Sequence, residues 1–197
     1  MAQQLPDLSK LRYNNDMIIF FGPAGAGKSV QGQMLSARHG WRWLSAGQLL
    51  RDTRDAKLIE EMQTGSLVDS MTVNTIVGEA LSRSKDMMHV ILDGYPRELS
   101  QAQWLIENQK DHDRTVNIVI VLEVPKTVIL ERLKVRGRVD DTPEAIEERL
   151  IMYRQEIYPI LTYLTEQKIY IVHIDGTGTV GQVHDRIEGE LKACQLV

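Results

Sequence analysis

The sequence predicts an α/β fold: a three-layer sandwich with a five-stranded parallel sheet and helices on both faces. Three observations predict it. Strand-like and helix-like segments alternate from residue 17 to residue 193, the pattern of repeated strand–helix–strand units. The run at 17–21 is wholly apolar, as in a buried strand, and that at 116–122 is almost unbroken β-branched, as in a strand covered on both sides. The first of these runs leads directly into a glycine loop and then a helix-compatible segment.

The elements follow in order. Residues 17–21 read as a buried strand ended by Gly22, and 30–38 as the helix after the loop. A short strand at 41–44 precedes Ser45-Ala46-Gly47, where the serine is placed to N-cap a helix over 48–54. Helices are expected over 56–63, stopped by Thr64-Gly65, and over 73–82. A strand at 89–92 ends in Asp93-Gly94-Tyr95-Pro96-Arg97, and 100–108 is helical. The strand at 116–122 is the candidate central strand, and 126–135 is a helix broken by Gly137. Asp141-Thr142-Pro143-Glu144 combines a capping residue with a first-turn proline, so a long helix starts there and runs towards Tyr158, with a kink expected at Pro159. A strand at 168–174 and a helix at 180–193 complete the chain.

Composition narrows the function classes. A chain of 197 residues suits one domain with a sizeable core. The formal net charge of −4 argues against a nonspecific nucleic-acid binder. The single cysteine, Cys194, allows neither an internal disulfide nor a cysteine-based zinc site, which suits a cytoplasmic protein. No apolar run approaches the roughly 20 residues a membrane-spanning helix needs. Residues 1–15 are polar, lack an apolar signal core, and read as a tail.

The chemistry is concentrated in two places. Gly22-Pro23-Ala24-Gly25-Ala26-Gly27-Lys28-Ser29 fits G-x-x-x-x-G-K-[ST] at every fixed position, with a strand before it and a helix after it. Glycines let successive backbone N–H groups converge on a phosphate, and the following helix dipole adds to the attraction. Lys28 then reaches the β- and γ-phosphates, and Ser29 is the expected Mg²⁺ ligand. This makes the expected architecture a P-loop NTPase sandwich. Asp93, at the end of an apolar strand, is placed to hold Mg²⁺ through water, the alternative being that it caps the next turn. Arg51, Arg97, Arg132, Arg136, Arg138 and Arg149 supply guanidinium forks suited to phosphate oxygens. Any one of them alone reads as surface charge; beside a phosphate loop the set reads as functional. Asp140 and Asp141 either orient these arginines or, for Asp141, cap the next helix.

With these motifs in view, the chain resembles the adenylate kinase family of nucleoside monophosphate kinases. Five blocks match in order: GPAGAGKSVQ (22–31), LSAGQLLRD (44–52), TGSLVDSMTV (64–73), DGYPRELSQA (93–102) and RGRVDDTPEAIEERL (136–150). The resemblance implies reversible transfer of the γ-phosphoryl of MgATP to a nucleoside monophosphate within a single domain. That domain would carry a small helical NMP-binding insertion over 45–73 and a minimal lid loop over 136–141. It implies that Gly25, Ala26, Gly27, Lys28, Ser29 and Val30 wrap the ATP phosphates. It also implies that Arg132 stacks on the donor adenine, that Arg136 contacts ATP phosphates and that the Gly178 carbonyl meets the adenine. Ala46, Arg51, Ser66, Leu67, Val68, Gly94, Tyr95, Pro96, Arg97 and Gln101 would form the acceptor site. Arg51 and Arg97 would lie on the acceptor phosphate there, and Gln101 on the base. Arg138 and Arg149 would bridge the reacting groups. The implied cofactor is Mg²⁺ with ATP and no structural zinc. The implied partners are ATP, AMP and ADP, with no nucleic acid or membrane, for a cytoplasmic monomer.

Three departures from the family pattern stand out. Only Gly137 separates Arg136 from Arg138, where many members carry a lid of roughly 30–40 residues, a long insertion by the standards of a compact fold. Val30 stands where a threonine hydroxyl is usual. Ala46 follows Ser45 as in UMP/CMP kinases, whereas Gln101, four residues after Arg97, follows the adenylate kinase pattern. A glutamine amide offers one acceptor and two donors to an adenine edge. AMP is the favoured acceptor and UMP/CMP kinase the alternative; a nucleotide-sensing module with little turnover is the reading from another class.

Overall fold

The computed structural model describes residues 16–63, 68–137 and 142–197. Five parallel strands form one sheet in the order β2-β3-β1-β4-β5. They are β1 (Asp16–Phe21), β2 (Arg42–Ser45), β3 (His89–Asp93), β4 (Thr115–Glu123) and β5 (Tyr170–Asp175). Strand β1 lies at the centre, and all six of its residues are buried.

The alternation within β1 divides the core in two. Met17, Ile19 and Phe21 face one side with Leu92, Val119 and Val121. There they pack against α4 (Ser70–Ser82), α5 (Leu99–Asn108) and α7 (Pro143–Glu166), through Val77, Leu105 and Ile160 among others. Ile18 and Phe20 face the other side with Ile91 and Ile120, against α1 (Lys28–His39) and α8 (Val180–Ala193) through Leu35 and Ile187. A smaller cluster joins α6 (Lys126–Arg136) to α7 through Ile129, Leu133, Ile146 and Leu150. Two short helices, α2 (Ala46–Asp52) and α3 (Ala56–Gln63), follow β2. A 3₁₀ turn, Gln109–His112, follows α5 and carries no apolar periodicity by which the sequence could announce it.

The expected elements are all present, with informative shifts. Helix α4 begins at Ser70, ahead of the apolar run, because the Asp69 carboxylate accepts from the Thr72 N–H at 2.9 Å. Ser45 does occupy the N-cap position of α2, yet its side chain makes no capping hydrogen bond. Helix α7 continues past Tyr158 and through Pro159 to Glu166. Gly137, at φ 63°, ends α6 in the left-handed region that glycine tolerates. The N-terminal tail and Asp140 and Asp141 lie outside the described residues, so their expected roles stay with the sequence.

All five strands run the same way, so their carboxyl ends share one edge of the sheet. Register places the key loops together: Phe20 pairs with Asp93, Ser45 with Asp93, and Glu123 with Asp175. The glycine loop, the Asp93 turn, the start of α2 and the turn before α8 therefore open on the same edge.

Candidate active site

The loop after β1 is shaped by its glycines. Gly25 and Gly27 have φ of 83° and 99°, in the region that side-chain-bearing residues avoid. An added Cβ at Gly25 would also lie 3.0 Å from Leu133 Cγ, so this glycine lets α6 close on the loop. Gly27 is the N-cap of α1, and Ala26 beside it is buried. Ser29 and Val30 are exposed at the first turn of α1.

Lys28 folds back over its own loop, its Nζ donating to the Gly22 carbonyl at 2.6 Å and the Pro23 carbonyl at 3.0 Å. Burial pushes its ammonium down to about 8; Asp93 opposes that, and Arg97 and Arg136 add to it. The Ser29 hydroxyl donates to Asp93 Oδ2 at 2.6 Å. Asp93 is buried at the end of β3 and acts electrostatically on both Lys28 and Arg97.

Arg97 is held by the turn that follows. Its Nε donates to the Gly94 carbonyl at 3.0 Å, and its backbone N–H to Gln101 Oε1 at 2.8 Å. Desolvation lowers the guanidinium from its ordinary value, Asp93 opposes the shift, and Arg149 and Arg51 lower it further. Lys28 and Arg97 thus both feel the Asp93 carboxylate, with Arg136 adding positive charge at Lys28 and Arg149 and Arg51 adding it at Arg97. Such an excess of positive charge in one crevice is suited to polyanions. Arg51 lies on α2, where its Nη2 donates to Gln48 Oε1 at 2.9 Å.

Tyr95 and Pro96 are buried, and the peptide between them is cis. The Tyr95 hydroxyl donates to Asn74 Oδ1 at 2.7 Å, tying the turn to α4. Gln101 is 2% exposed, and its Nε2 donates to Ser70 Oγ at 3.2 Å. Ala46 and Val68 are also buried, at the start of α2 and just before α4.

Arg132 departs from the simplest picture of a stacking side chain. Its Nη1 donates to the Ala26 carbonyl at 3.3 Å, and its Nη2 to the Gly176 carbonyl at 2.8 Å and the Gly178 carbonyl at 3.5 Å. The guanidinium edge therefore joins the glycine loop to the turn before α8. Gly178, at φ 94°, lies in that turn.

Of the residues expected to act, Arg138, Ser66 and Leu67 lie outside the described residues. The others sit on or beside the loops at the carboxyl edge of the sheet. The sequence reading missed Gln31, Ser70, Asn74 and Glu98. Gln31 is buried, donates to the Val180 carbonyl at 2.9 Å and faces His184 Nδ1 at 3.1 Å. Its partners lie about 150 residues away in sequence, so no local pattern announces it. Among the described residues there is no group of three or more His, Cys, Asp or Glu able to hold a metal ion. Among them, too, no helix is long and apolar enough to cross a membrane.

Comparison with known proteins agrees with this geometry. The model of the adenylate kinase family matches residues 20–169. An adenylate kinase of Mycobacterium leprae is 36% identical over 175 residues, covering 86% of this chain and 95% of the relative. Another, from Prochlorococcus marinus, is 36% identical over 180 residues, covering 88% and 97%. A third, from Mycobacterium ulcerans, is 38% identical over 176 residues, covering 86% and 95%. The family model spans most of the chain and the relatives cover nearly all of it, so the chain belongs to the adenylate kinase family.

Proposed function

We propose that this protein is an ATP:AMP phosphotransferase, catalysing the reversible reaction MgATP + AMP = 2 ADP by direct in-line transfer. The carrying observation is that Lys28 and Arg97 share the Asp93 carboxylate, with Arg136 acting at the first and Arg51 and Arg149 at the second. A protein that only binds ATP needs one phosphate site. Here the cations form two groups, Lys28 with Arg136 and Arg97 with Arg51 and Arg149, which suits two phosphate groups.

In this reading Gly25 to Val30 cradle the donor phosphates, and Lys28 exchanges the Gly22 and Pro23 carbonyls for the transferred phosphoryl. Arg132 presents a guanidinium face to the adenine while its edge stays bound to backbone carbonyls, and Gly178 offers a carbonyl beside it. Arg136 binds donor phosphates. Arg51 and Arg97 hold the acceptor phosphate, and Arg138 and Arg149 bridge the groups in transfer. An acceptor phosphate oxygen attacks the γ-phosphorus as the bond to the β–γ bridging oxygen breaks. That oxygen is already anionic, so no general base is required. Catalysis is then positioning and charge stabilisation.

Ser29 and Asp93 form a hard oxygen pair that fits Mg²⁺, directly or through water. When bound with ATP, that ion would neutralise charge on the phosphate oxygens. Segment 45–73 is the acceptor-binding unit, with Ala46, Ser66, Leu67, Val68, Gly94, Tyr95, Pro96 and Gln101 around the nucleotide. Residues 136–141 form the short lid. The reading includes a cytoplasmic monomer; the free, buried Cys194 suits a reducing compartment.

The relatives named above are adenylate kinases, which weighs against the UMP/CMP kinase alternative that Ala46 suggested. The test is ADP formation from MgATP with AMP, CMP, UMP, dTMP and GMP in parallel. AMP is expected to be the fastest acceptor. Preference for CMP or UMP would overturn the acceptor assignment. ATP binding without turnover on any of them would make the protein a nucleotide sensor.

A further inference from the structure

Ser70, Glu98 and Gln101 form a connected set that the proposed reaction does not by itself require. Ser70 is the first residue of α4, at the end of segment 45–73. Its hydroxyl donates to Glu98 Oε2 in a very short contact. Ser70 Oγ in turn accepts from Gln101 Nε2 at 3.2 Å. Ser100 Oγ also reaches Glu98 Oε2, at 3.3 Å. On its other side, Gln101 Oε1 accepts the Arg97 N–H at 2.8 Å.

The directions of these bonds matter. An ionised carboxylate only accepts, so Glu98 takes the single hydroxyl proton of Ser70. Ser70 Oγ is then left as an acceptor, and only the NH₂ end of Gln101 suits it. The Arg97 N–H only donates, so it requires the carbonyl end. The amide of Gln101 is therefore locked in one of its two flip states. One N–H and one carbonyl lone pair remain for a ligand, in a fixed order. A nucleobase edge is a fixed sequence of donors and acceptors, so a flipped amide would present the wrong one.

We propose that Ser70 and Glu98 are positioning residues for acceptor specificity: they fix the flip state of Gln101 and tie it to the end of segment 45–73. The inference rests on the reading of Gln101 as a contact to the acceptor base. Neither residue need touch the nucleotide. Helix capping does not explain them, because Asp69 caps α4 through Thr72. A second tie, from Tyr95 to Asn74 one helical turn on, holds the same turn against the same helix face.

The experiment measures kcat and KM for AMP, CMP and ATP with the full chain and with Ser70→Ala, Ser70→Thr and Glu98→Ala. Losing the bond should raise KM for AMP by about 5- to 10-fold in Ser70→Ala and Glu98→Ala. The preference for AMP over CMP should narrow, while kcat and KM for ATP stay within about 2-fold. Ser70→Thr, which keeps the hydroxyl, should restore the AMP values. An unchanged KM for AMP in both deletions overturns the proposal. So does equal behaviour of Ser70→Thr and Ser70→Ala, or an equal rise in KM for ATP. If the unaltered protein turns over AMP while the variants are flat, only this inference fails. If the unaltered protein does not use AMP, the proposed function fails and this inference with it.

Discussion

Ser29 Oγ lies 2.6 Å from Asp93 Oδ2, a hydrogen bond between residues 64 apart in sequence. It joins the first turn of α1 to the end of β3, and it exists because β1 and β3 are adjacent and parallel with Phe20 opposite Asp93. The pair brings a hydroxyl and a carboxylate to one point beside Lys28.

Asp93→Asn tests that pair. The amide keeps the shape and can still bond Ser29, so the fold should be nearly unaffected. What is lost is the negative charge that would face the metal and that balances Lys28 and Arg97. Turnover should fall by roughly 100-fold or more, the scale on which removing one preorganised electrostatic group acts. A melting temperature close to that of the unaltered protein, with turnover also unchanged, would remove Asp93 from the chemistry.

Lys28 makes the second prediction, from pH. Burial holds its ammonium at about 8 against an ordinary 10.5. In the free protein the positive charge is therefore present below about 8 and is lost as pH rises through it. The value of kcat/KM for ATP should fall across that point, because this parameter reports the free enzyme. Bound phosphates favour the charged form, so the alkaline limb of kcat should lie at higher pH. Stability moves the opposite way. Between about 8 and 10.5 the unfolded chain binds the proton that the folded chain has released, so this lysine makes stability rise with pH over that window. Lys28→Met should abolish both effects and nearly all turnover; near-normal activity in that variant would sink the proposed mechanism.

Much of this arrangement was legible in the sequence for a physical reason. The glycine loop, Asp93 and Arg97 each follow an apolar strand, and a parallel sheet brings strand ends to one edge. What the sequence hid are partnerships set by side-chain geometry. Gln31 reads as a polar position in a helix, yet it is buried between the Val180 carbonyl and His184. Arg132 reads as a phosphate or base ligand, yet its edge is occupied by three backbone carbonyls. Glu98 has no motif role of its own, yet its carboxylate accepts the Ser70 hydroxyl. Apolar spacing places the start of α4 at residue 73, whereas Asp69 fixes it at Ser70 through Thr72.

Gly32 carries a stability prediction away from the chemistry. It lies on the face of α1 turned to the sheet, and an added Cβ would come within 2.6 Å of Trp43 Cδ1 and 2.9 Å of its Nε1. The indole cannot yield by moving a flexible end, because its ring is rigid and Nε1 is already buried. Helix propensity favours alanine over glycine by about 1 kcal/mol, which offsets part of the clash. Overpacking of this kind costs about 1–3 kcal/mol. Gly32→Ala should therefore lower the melting temperature by a few degrees, with the KM values for both nucleotides unchanged. A rise in melting temperature would mean that α1 shifts freely on the sheet.

Val30 gives the last prediction, a gain. It follows Ser29 in the first turn of α1 with 46% of its surface exposed, and it belongs to none of the apolar core clusters. Threonine has the same branched shape and nearly the same helix propensity. Val30→Thr should thus leave stability within about 0.5 kcal/mol, as surface changes do. Its hydroxyl would add a donor at the turn that faces the proposed phosphate site. One hydrogen bond to a phosphate oxygen is worth about 1.5–3 kcal/mol when the acceptor is charged. Competition with water at this exposed position argues for the lower end, so kcat/KM for ATP should rise about 10-fold. Parallel titrations with MgATP and with AMP would distinguish the cause. A gain confined to ATP puts the hydroxyl on the donor phosphates, whereas no gain with either nucleotide would mean that this turn of α1 points away from them.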